Sequence, residues 1–410
     1  MENLFKFIAE HADEDVSRLI LDRKKYPEID IDLAVNCIES RRKLKGKVQE
    51  WFDEPGLIFP LKLSAEQCSS SATGRYKAAL AERISGKVKD WSIADLTGGL
   101  GVDSWFFSQK ASKVIYNEMQ ERLCDAARHN FKTLGAECIE INNLIVSVEN
   151  ISRATANADI VYVDPARRDG AGKKVFLIED CTPDVLTLKD EIFKYSRHIL
   201  IKLSPMADIS MACDRIGNTC REVHVVATGG ECKELLIWID REWNNEYTVV
   251  AAELNGASEA VFSFNPCQER ECRVSYEESP LVGITSGTSY LFEPGKALMK
   301  AGAFNLIAER FALKKLGKST HYYICSSKEE AEAVRSYGKI FEIIECQPIA
   351  KKSIKEFGLK YPKSEVTARN IPMDTETLRK KTGVKSGEDA HIFGLKSDSE
   401  GNLLIASRRI

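Results

Sequence analysis

The chain lacks any apolar run approaching the 20 or so residues that cross a bilayer, which excludes a membrane-spanning helix. It has little at its start that resembles a leader: Met1 to His11 turns acidic within a dozen residues, so no signal peptide is expected and a cytoplasmic location is. Its 12 cysteines include no Cys-x-x-Cys pair. The closest, Cys267 with Cys272 and Cys213 with Cys220, lack metal-ligand spacing, so reduced thiols and no bound metal are expected. Internal repeats and low-complexity segments are also missing. A net charge of -3 over 410 residues is small, but it is unevenly spread. From Arg310 to Ile410 there are 20 Lys and Arg against 13 Asp and Glu, a basic end on an acidic body. Such an end serves either as a handle for a polyanion or as a solvated surface.

What is present is length for two to four domains and an ordinary globular composition, 43% hydrophobic and 29% charged. Residues 1–85 read as a helical region. Asp13 to Arg23 and Asp32 to Leu44 carry apolar residues at helical spacing, Asp30 offers an N-cap, and a helix runs from Gly74 to Ile84. The polar, hydroxyl-rich run Ser64-Ala65-Glu66-Gln67-Cys68-Ser69-Ser70-Ser71-Ala72-Thr73 before that helix suits a cap or a phosphate contact. Residues 86–242 alternate short β-branched runs with helical stretches, the pattern of a parallel α/β sheet. Seven strands are expected: Ile93 to Leu96, Lys113 to Asn117, Glu137 to Ile141, Ile160 to Val163, His198 to Lys202, Arg221 to Ala227 and Glu234 to Ile239. The last two are too close for a crossover helix and predict an antiparallel hairpin. Residues 243 to about 280 read as extended and irregular. Strand Tyr290 to Phe292, helices across Ala297 to Leu316 and strand His321 to Cys325 complete a segment 243–327. Residues 328–410 then predict a small α+β sandwich.

The chemistry concentrates after the first strand. Asp95-Leu96-Thr97-Gly98-Gly99-Leu100-Gly101-Val102-Asp103 is a strand end, a glycine turn and a helix start, which bring backbone N–H groups and a positive helix end to an extended ligand. Its glycines do not follow the dinucleotide Gly-x-Gly-x-x-Gly register. Glu118 ends the second strand, where a carboxylate can take both hydroxyls of a ribose, or simply start a helix. Met119 is placed beside an adenine. Asn142 and Asn143, just past the third strand, suit an adenine edge or a turn. The fourth strand delivers Asp164-Pro165-Ala166-Arg167-Arg168 to the carboxyl edge of the sheet, where α/β folds bind ligands.

Together these segments resemble motifs I, II and IV of class I methyltransferases that use S-adenosylmethionine (SAM). Glu66-Gln67-Cys68-Ser69-Ser70-Ser71-Ala72-Thr73-Gly74-Arg75-Tyr76-Lys77 before the core and Tyr290-Leu291-Phe292-Glu293-Pro294 behind it resemble, more narrowly, bacterial THUMP-like-domain methyltransferases. The resemblance covers nearly the whole chain. It implies a Rossmann-like sheet whose seventh strand is antiparallel, a ferredoxin-like subdomain and a THUMP-like domain. It also implies methyl transfer from SAM to RNA. Arg369, Arg379, Lys380, Lys381 and Lys385 are then the expected phosphate contacts.

SAM carries its methyl already activated, so the protein has to align an acceptor and take up a proton. Enzymes that methylate exocyclic amines place a second proline and an aromatic where Ala166 and Arg167 stand. Enzymes that methylate pyrimidine C5 need a cysteine nucleophile, where the fifth strand here ends in Lys202-Leu203-Ser204-Pro205. Asp164 is therefore the expected acceptor or orienting group, with Arg167 and Lys202 positioning the substrate, unless Lys202 is a surface lysine. Cys232 in the hairpin turn is either a structural thiol or a nucleophile. Two other readings stand beside this one: a non-catalytic SAM-binding RNA adaptor, from the altered fourth motif, and a nicotinamide-dependent oxidoreductase, from the glycine turn and the acidic residue after it.

Overall fold

A computed structural model describes residues 1–167, 178–256, 258–277, 281–284 and 289–410, with the backbone alone at residue 167. The chain forms two compact units, Met1–Val223 with Lys233–Tyr247, and His224–Cys232 with Thr248–Ile410.

All seven predicted strands are present: β1 (Ser92–Asp95), β2 (Lys113–Glu118), β3 (Ile139–Asn143), β4 (Ile160–Val163) and β5 (His198–Leu203) in the first unit, and β6 (Cys220–Thr228) and β7 (Glu231–Asp240), whose hairpin tip, His224–Cys232, is assigned to the second. Their spatial order is β3-β2-β1-β4-β5-β7-β6. The pairs β1 with β2, β1 with β4, β2 with β3 and β4 with β5 are parallel. β7 runs antiparallel to β5, so the predicted hairpin turns its second strand back into the sheet. Every residue of β4 and nearly all of β1, β2 and β5 are buried, as expected of strands covered on both faces. β3 begins two residues later than its β-branched pattern predicts. Gly135 (φ +67°) and Ala136, whose N–H returns to the Phe131 carbonyl, are used in leaving the preceding helix, so pairing starts at Ile139 opposite Val114.

The N-terminal helices belong to this same unit. The helix expected at Asp13 to Arg23 is shorter, Val16–Leu21, capped by Asp15. Helix α1 (Ile31–Leu44) is capped by Asp30, whose carboxylate accepts the Leu33 N–H. After α2 (Lys62–Gln67), helix α3 (Ser71–Ser85) opens on a capping box between Ser70 and Thr73 and stops at Gly86, which is left-handed at φ +65°. Helix α4 (Val102–Ser108) follows the glycine turn, and α5 (Glu121–Thr133) links β2 to β3. The Asn130 side chain on α5 bonds both the N–H and the carbonyl of Ile58, each at 2.8 Å, fixing the segment before α2.

In the second unit, β8 (Thr248–Asn255) and β9 (Ser258–Phe264) form an antiparallel hairpin where irregular chain was expected. A seven-stranded sheet follows, from β10 (Tyr290–Pro294), β11 (Lys314–Lys315), β12 (Tyr323–Cys325), β13 (Gly338–Pro348), β14 (Lys363–Arg369), β15 (Lys385–Ser397) and β16 (Gly401–Arg409), in the order β11-β12-β10-β13-β16-β15-β14. The helical stretch expected over Ala297 to Leu316 is two short helices, Lys296–Ala301 and Leu306–Arg310, and then β11. Gly302 (φ +83°) ends the first helix, and Ala312 (φ +54°) follows the second. The sheet carries two apolar clusters, one around Leu291, Phe341, Phe393 and Ile405, the other around Phe357, Leu378, Ile392 and Leu404. Among the described residues no helix is long and apolar enough to cross a membrane.

Candidate functional site

The carboxyl ends of β1, β2 and β4 open on a cavity of about 300 Å³ in the first unit. The glycine turn forms its floor and Glu118, Met119 and Gln120 one side. Leu144, Ile145 and Val146 form another wall, while Ser64, Gln67, Cys68 and Ser69 of the N-terminal segment face it across the opening.

The turn is shaped from within. Asp95 is buried and accepts hydrogen bonds from the Thr97 N–H (2.9 Å) and from the Ser104 hydroxyl (2.7 Å), so its carboxylate organises the loop. Burial pushes that carboxyl up to about 7, against the pull of the same two hydrogen bonds. Thr97 accepts the Asp164 N–H at 2.7 Å, tying the end of β4 to the turn. At Gly98 a Cβ would stand 2.2 Å from the Tyr116 ring, so no side chain fits. Gly101, at φ +92°, turns the chain into α4.

Glu118 is fixed at the end of β2: one carboxylate oxygen accepts the Gly99 N–H (2.9 Å) and the other the Gln120 N–H (2.8 Å). A carboxylate has about four acceptor positions, so both oxygens keep capacity for a ligand. Met119 lines the cavity with 61% of its surface exposed. Asn142 and Asn143 depart from the sequence expectation. They lie inside β3, and their amides bond Asn117 Oδ1 (3.1 Å) and the Glu118 carbonyl (3.0 Å). They brace strand ends, and Leu144 to Val146 take the cavity wall instead. Pro165 and Lys202 are also not among the cavity-lining residues, whereas Asp164 and Ala166 are.

Asp103, at the start of α4, lines the cavity and joins it to a buried ionic cluster. Its Oδ2 accepts hydrogen bonds from Tyr162 (2.8 Å) and Ser69 (2.9 Å), and its Oδ1 lies 3.3 Å from the Lys77 ammonium without a hydrogen bond. Lys77, on α3, is fully buried and donates to both oxygens of Glu234 on β7 (2.7 and 2.9 Å) and to Ser69 (2.9 Å). Lys202, on β5, donates to Asp164 at 2.5 Å. The register explains this gathering. Lys202 stands opposite Leu236, two residues from Glu234, and Tyr162 stands opposite Leu200, so Lys202, Glu234 and Tyr162 share one face of the sheet. Burial works against the Lys202 charge, but Asp164, Asp103 and Glu234 together hold its ammonium well above the ordinary lysine range. Burial likewise opposes the charge of Asp103, yet Lys77 and Lys202 hold its carboxyl below the usual value, while burial pushes the Glu234 carboxyl up.

Lys77, Glu234 and Tyr162 were not singled out from the sequence, and Ser69 was read only within a hydroxyl-rich run suited to a cap or a phosphate. Lys77 had a signal: it falls on the apolar stripe of α3 with Thr73, Leu80, Ala81 and Ile84, a place where a solvated lysine does not belong. Arg167 contributes backbone to a two-residue ribbon with Cys181; its side chain, and all of Arg168, lie outside the described residues. Cys232 is half-buried in the first residues of β7. In the second unit, Arg379 pairs with Glu365 (3.0 Å) and Lys380 with Glu376 (2.6 Å), Arg369 lies over the Tyr322 ring, and Lys381 and Lys385 are exposed.

A parallel sheet with its seventh strand reversed between the fifth and sixth, and a glycine turn beside an acidic strand end, defines the class I methyltransferase fold. The second unit matches the model of a ferredoxin-like domain over residues 290–331 and that of a THUMP domain-like family over residues 338–409. The whole chain is similar to the crystal structure of a provisionally assigned methyltransferase from Porphyromonas gingivalis W83, with 29% identity, 99% of this chain and 97% of that one covered, and a TM-score of 0.84. The chain thus has the class I methyltransferase fold followed by ferredoxin-like and THUMP-like segments, an arrangement it shares over its whole length with that methyltransferase. An rRNA methylase from Streptococcus thermophilus is similar over 40% of the chain at 14% identity, but with a TM-score of 0.30 it carries no weight. No curated protein matches the chain.

Proposed function

We propose that the protein is a SAM-dependent methyltransferase acting on bases in RNA. The observation that carries this is the pairing, across one cavity, of a clamped Glu118 beside the glycine turn with Asp164 at the end of β4.

The residues fit the cofactor. Glu118 retains acceptor positions for the two ribose hydroxyls, the turn from Gly98 to Gly101 brings backbone close, and Met119, Leu144 and Ile145 offer apolar surface to an adenine. Bound there, SAM supplies a methyl activated on a sulfonium. Asp164, fixed by Thr97 through its backbone and by Lys202 through its side chain, accepts an N–H of the acceptor and orients it. The Asp164-Pro165-Ala166 sequence offers no ring for stacking, so the base is held by polar contacts. The THUMP-like domain and the basic excess from Arg310 onward support RNA as the substrate class.

Incubation with radiolabelled SAM and RNA from a strain lacking the gene, followed by digestion to nucleosides, tests the proposal. Label in one nucleoside is the expected result. Label in protein but never in RNA overturns the substrate class, and tight SAM binding without any transfer points to an adaptor. Fluorescence titration with NADH is expected to show no binding where SAM binds.

A further inference from the structure

The buried cluster contains more carboxylates than cations. Lys77 pairs with Glu234 and Asp103, and Lys202 pairs with Asp164; Lys202 lies on the same face of the sheet as Glu234 and Tyr162, the latter bonded to Asp103, so all three carboxylates act on its charge. Lys202 donates to Asp164, which lines the cavity at the end of β4. The reason lies with Lys77. Its ammonium takes both oxygens of Glu234 and faces the otherwise unbonded Oδ1 of Asp103, while Ser69 and Tyr162 take Oδ2. The two other carboxylates of the cluster are thereby partnered by Lys77, Ser69 and Tyr162.

We propose that Lys77 is a positioning residue for methyl transfer: by occupying Glu234 and Asp103 it leaves Lys202 to hold Asp164 toward the acceptor. This rests on the methyltransferase reading given above. Lys77 touches neither the cavity nor Asp164, and it acts through Lys202. It comes from α3, outside the sheet, and its partner Glu234 from the reversed strand β7.

The test uses the full chain. Because a lone buried charge endangers folding, the main variant removes both members of the pair, Lys77→Met with Glu234→Met, since well-packed apolar side chains commonly replace a buried ion pair without loss of stability. Asp103 then lacks its cation, and Lys202 is expected to turn to Asp103 Oδ1. Two readouts follow. A crystal structure of the double variant is expected to show Lys202 Nζ beyond hydrogen-bond distance of Asp164; a retained hydrogen bond overturns the proposal. In the labelling assay the double variant is expected to lose at least tenfold in kcat, with KM for SAM changed less than twofold. Wild-type kcat in a folded double variant overturns the proposal, because a purely structural pair is replaceable by methionines. A triple variant adding Asp103→Asn, which removes the remaining rival, is expected to recover the Lys202–Asp164 hydrogen bond. Should the wild-type protein transfer no methyl, the methyltransferase reading fails while the crystallographic comparison still decides the role of Lys77.

Discussion

The two units bury different things. The sheet of the second unit is held by two clusters of aliphatic and aromatic side chains, with Phe357, Leu378, Ile392, Phe393, Leu403 and Ile405 all fully buried. The sheet of the first unit has an equally apolar interior along β4 and β5, yet under α3 it also encloses Lys77, Asp103 and Glu234. The second unit also buries charge, Lys315 bonded to Asn305 and Glu277 paired with Lys314, but its two apolar clusters contain none. Removing one partner of a buried ion pair costs ~3–5 kcal/mol, whereas replacing the whole pair by apolar groups is often neutral or stabilising. Stability therefore does not account for the cluster. The proposed positioning of Lys202 against Asp164 does.

Mutations that separate the two kinds of interior give the largest effects. Asp164→Ala is expected to lower methyl transfer by about 100-fold or more, the scale of one positioned acid–base group, with SAM affinity intact. Unchanged transfer in a labelling assay would contradict the role of Asp164. Ile405→Ala, in the apolar cluster of the second unit, is expected to lower unfolding free energy by ~2–5 kcal/mol in calorimetry. SAM binding, read by titration, is expected to stay the same; a tenfold loss would mean that the contrast between the units is not one of function.

Two buried groups, one in each unit, respond to pH in opposite senses. Asp95 is raised by burial to about 7, so between the ordinary carboxylate range near 4 and pH 7 the folded chain holds a proton that the unfolded chain has released. Its contribution to stability is present below that window and fades as pH rises through it. His391 is depressed by burial to about 4, so it favours the unfolded chain at low pH: stability present above about 6.5 is lost as pH falls toward 4. Asp95→Asn is expected to flatten the first dependence and His391→Phe the second, each read from thermal midpoints between pH 4 and 7.5. An unchanged slope in either variant would show that the residue named does not set that dependence. The smallest expected effect is on RNA affinity. Exchanging exposed Lys381 and Lys385 for Glu is expected to weaken binding and to reduce the slope of log affinity against log salt by about 0.7 for each phosphate no longer neutralised. An unaltered slope would mark this surface as merely solvated.

Much of the first unit was legible because its signals are local. β-branched runs announce β1 to β7, and the six residues between Ala227 and Glu234 leave room only for a hairpin, whose antiparallel pairing with β5 the structure shows. The turn from Asp95 to Gly101 and the strand-end position of Glu118 were likewise readable. Asn142 and Asn143 were misplaced because Gly135 and Ala136 shift the start of β3, a displacement set by how the preceding helix ends. The β8–β9 hairpin was missed although Asn255-Gly256 is a turn dipeptide between two β-branched runs. The ionic cluster was invisible for a different reason. Its members come from positions 69, 77, 103, 162, 202 and 234, and only strand register brings them together.

The place of Lys77 and Ser69 on the N-terminal segment has a practical side. A fragment beginning at residue 86 would contain every strand of the methyltransferase sheet and would look like a natural minimal core. It would nevertheless strand Asp103 and Glu234 in a dry interior without their cation. The first 85 residues are thus an internal counterion for the sheet, and the smallest self-sufficient piece of this protein starts well before its first strand.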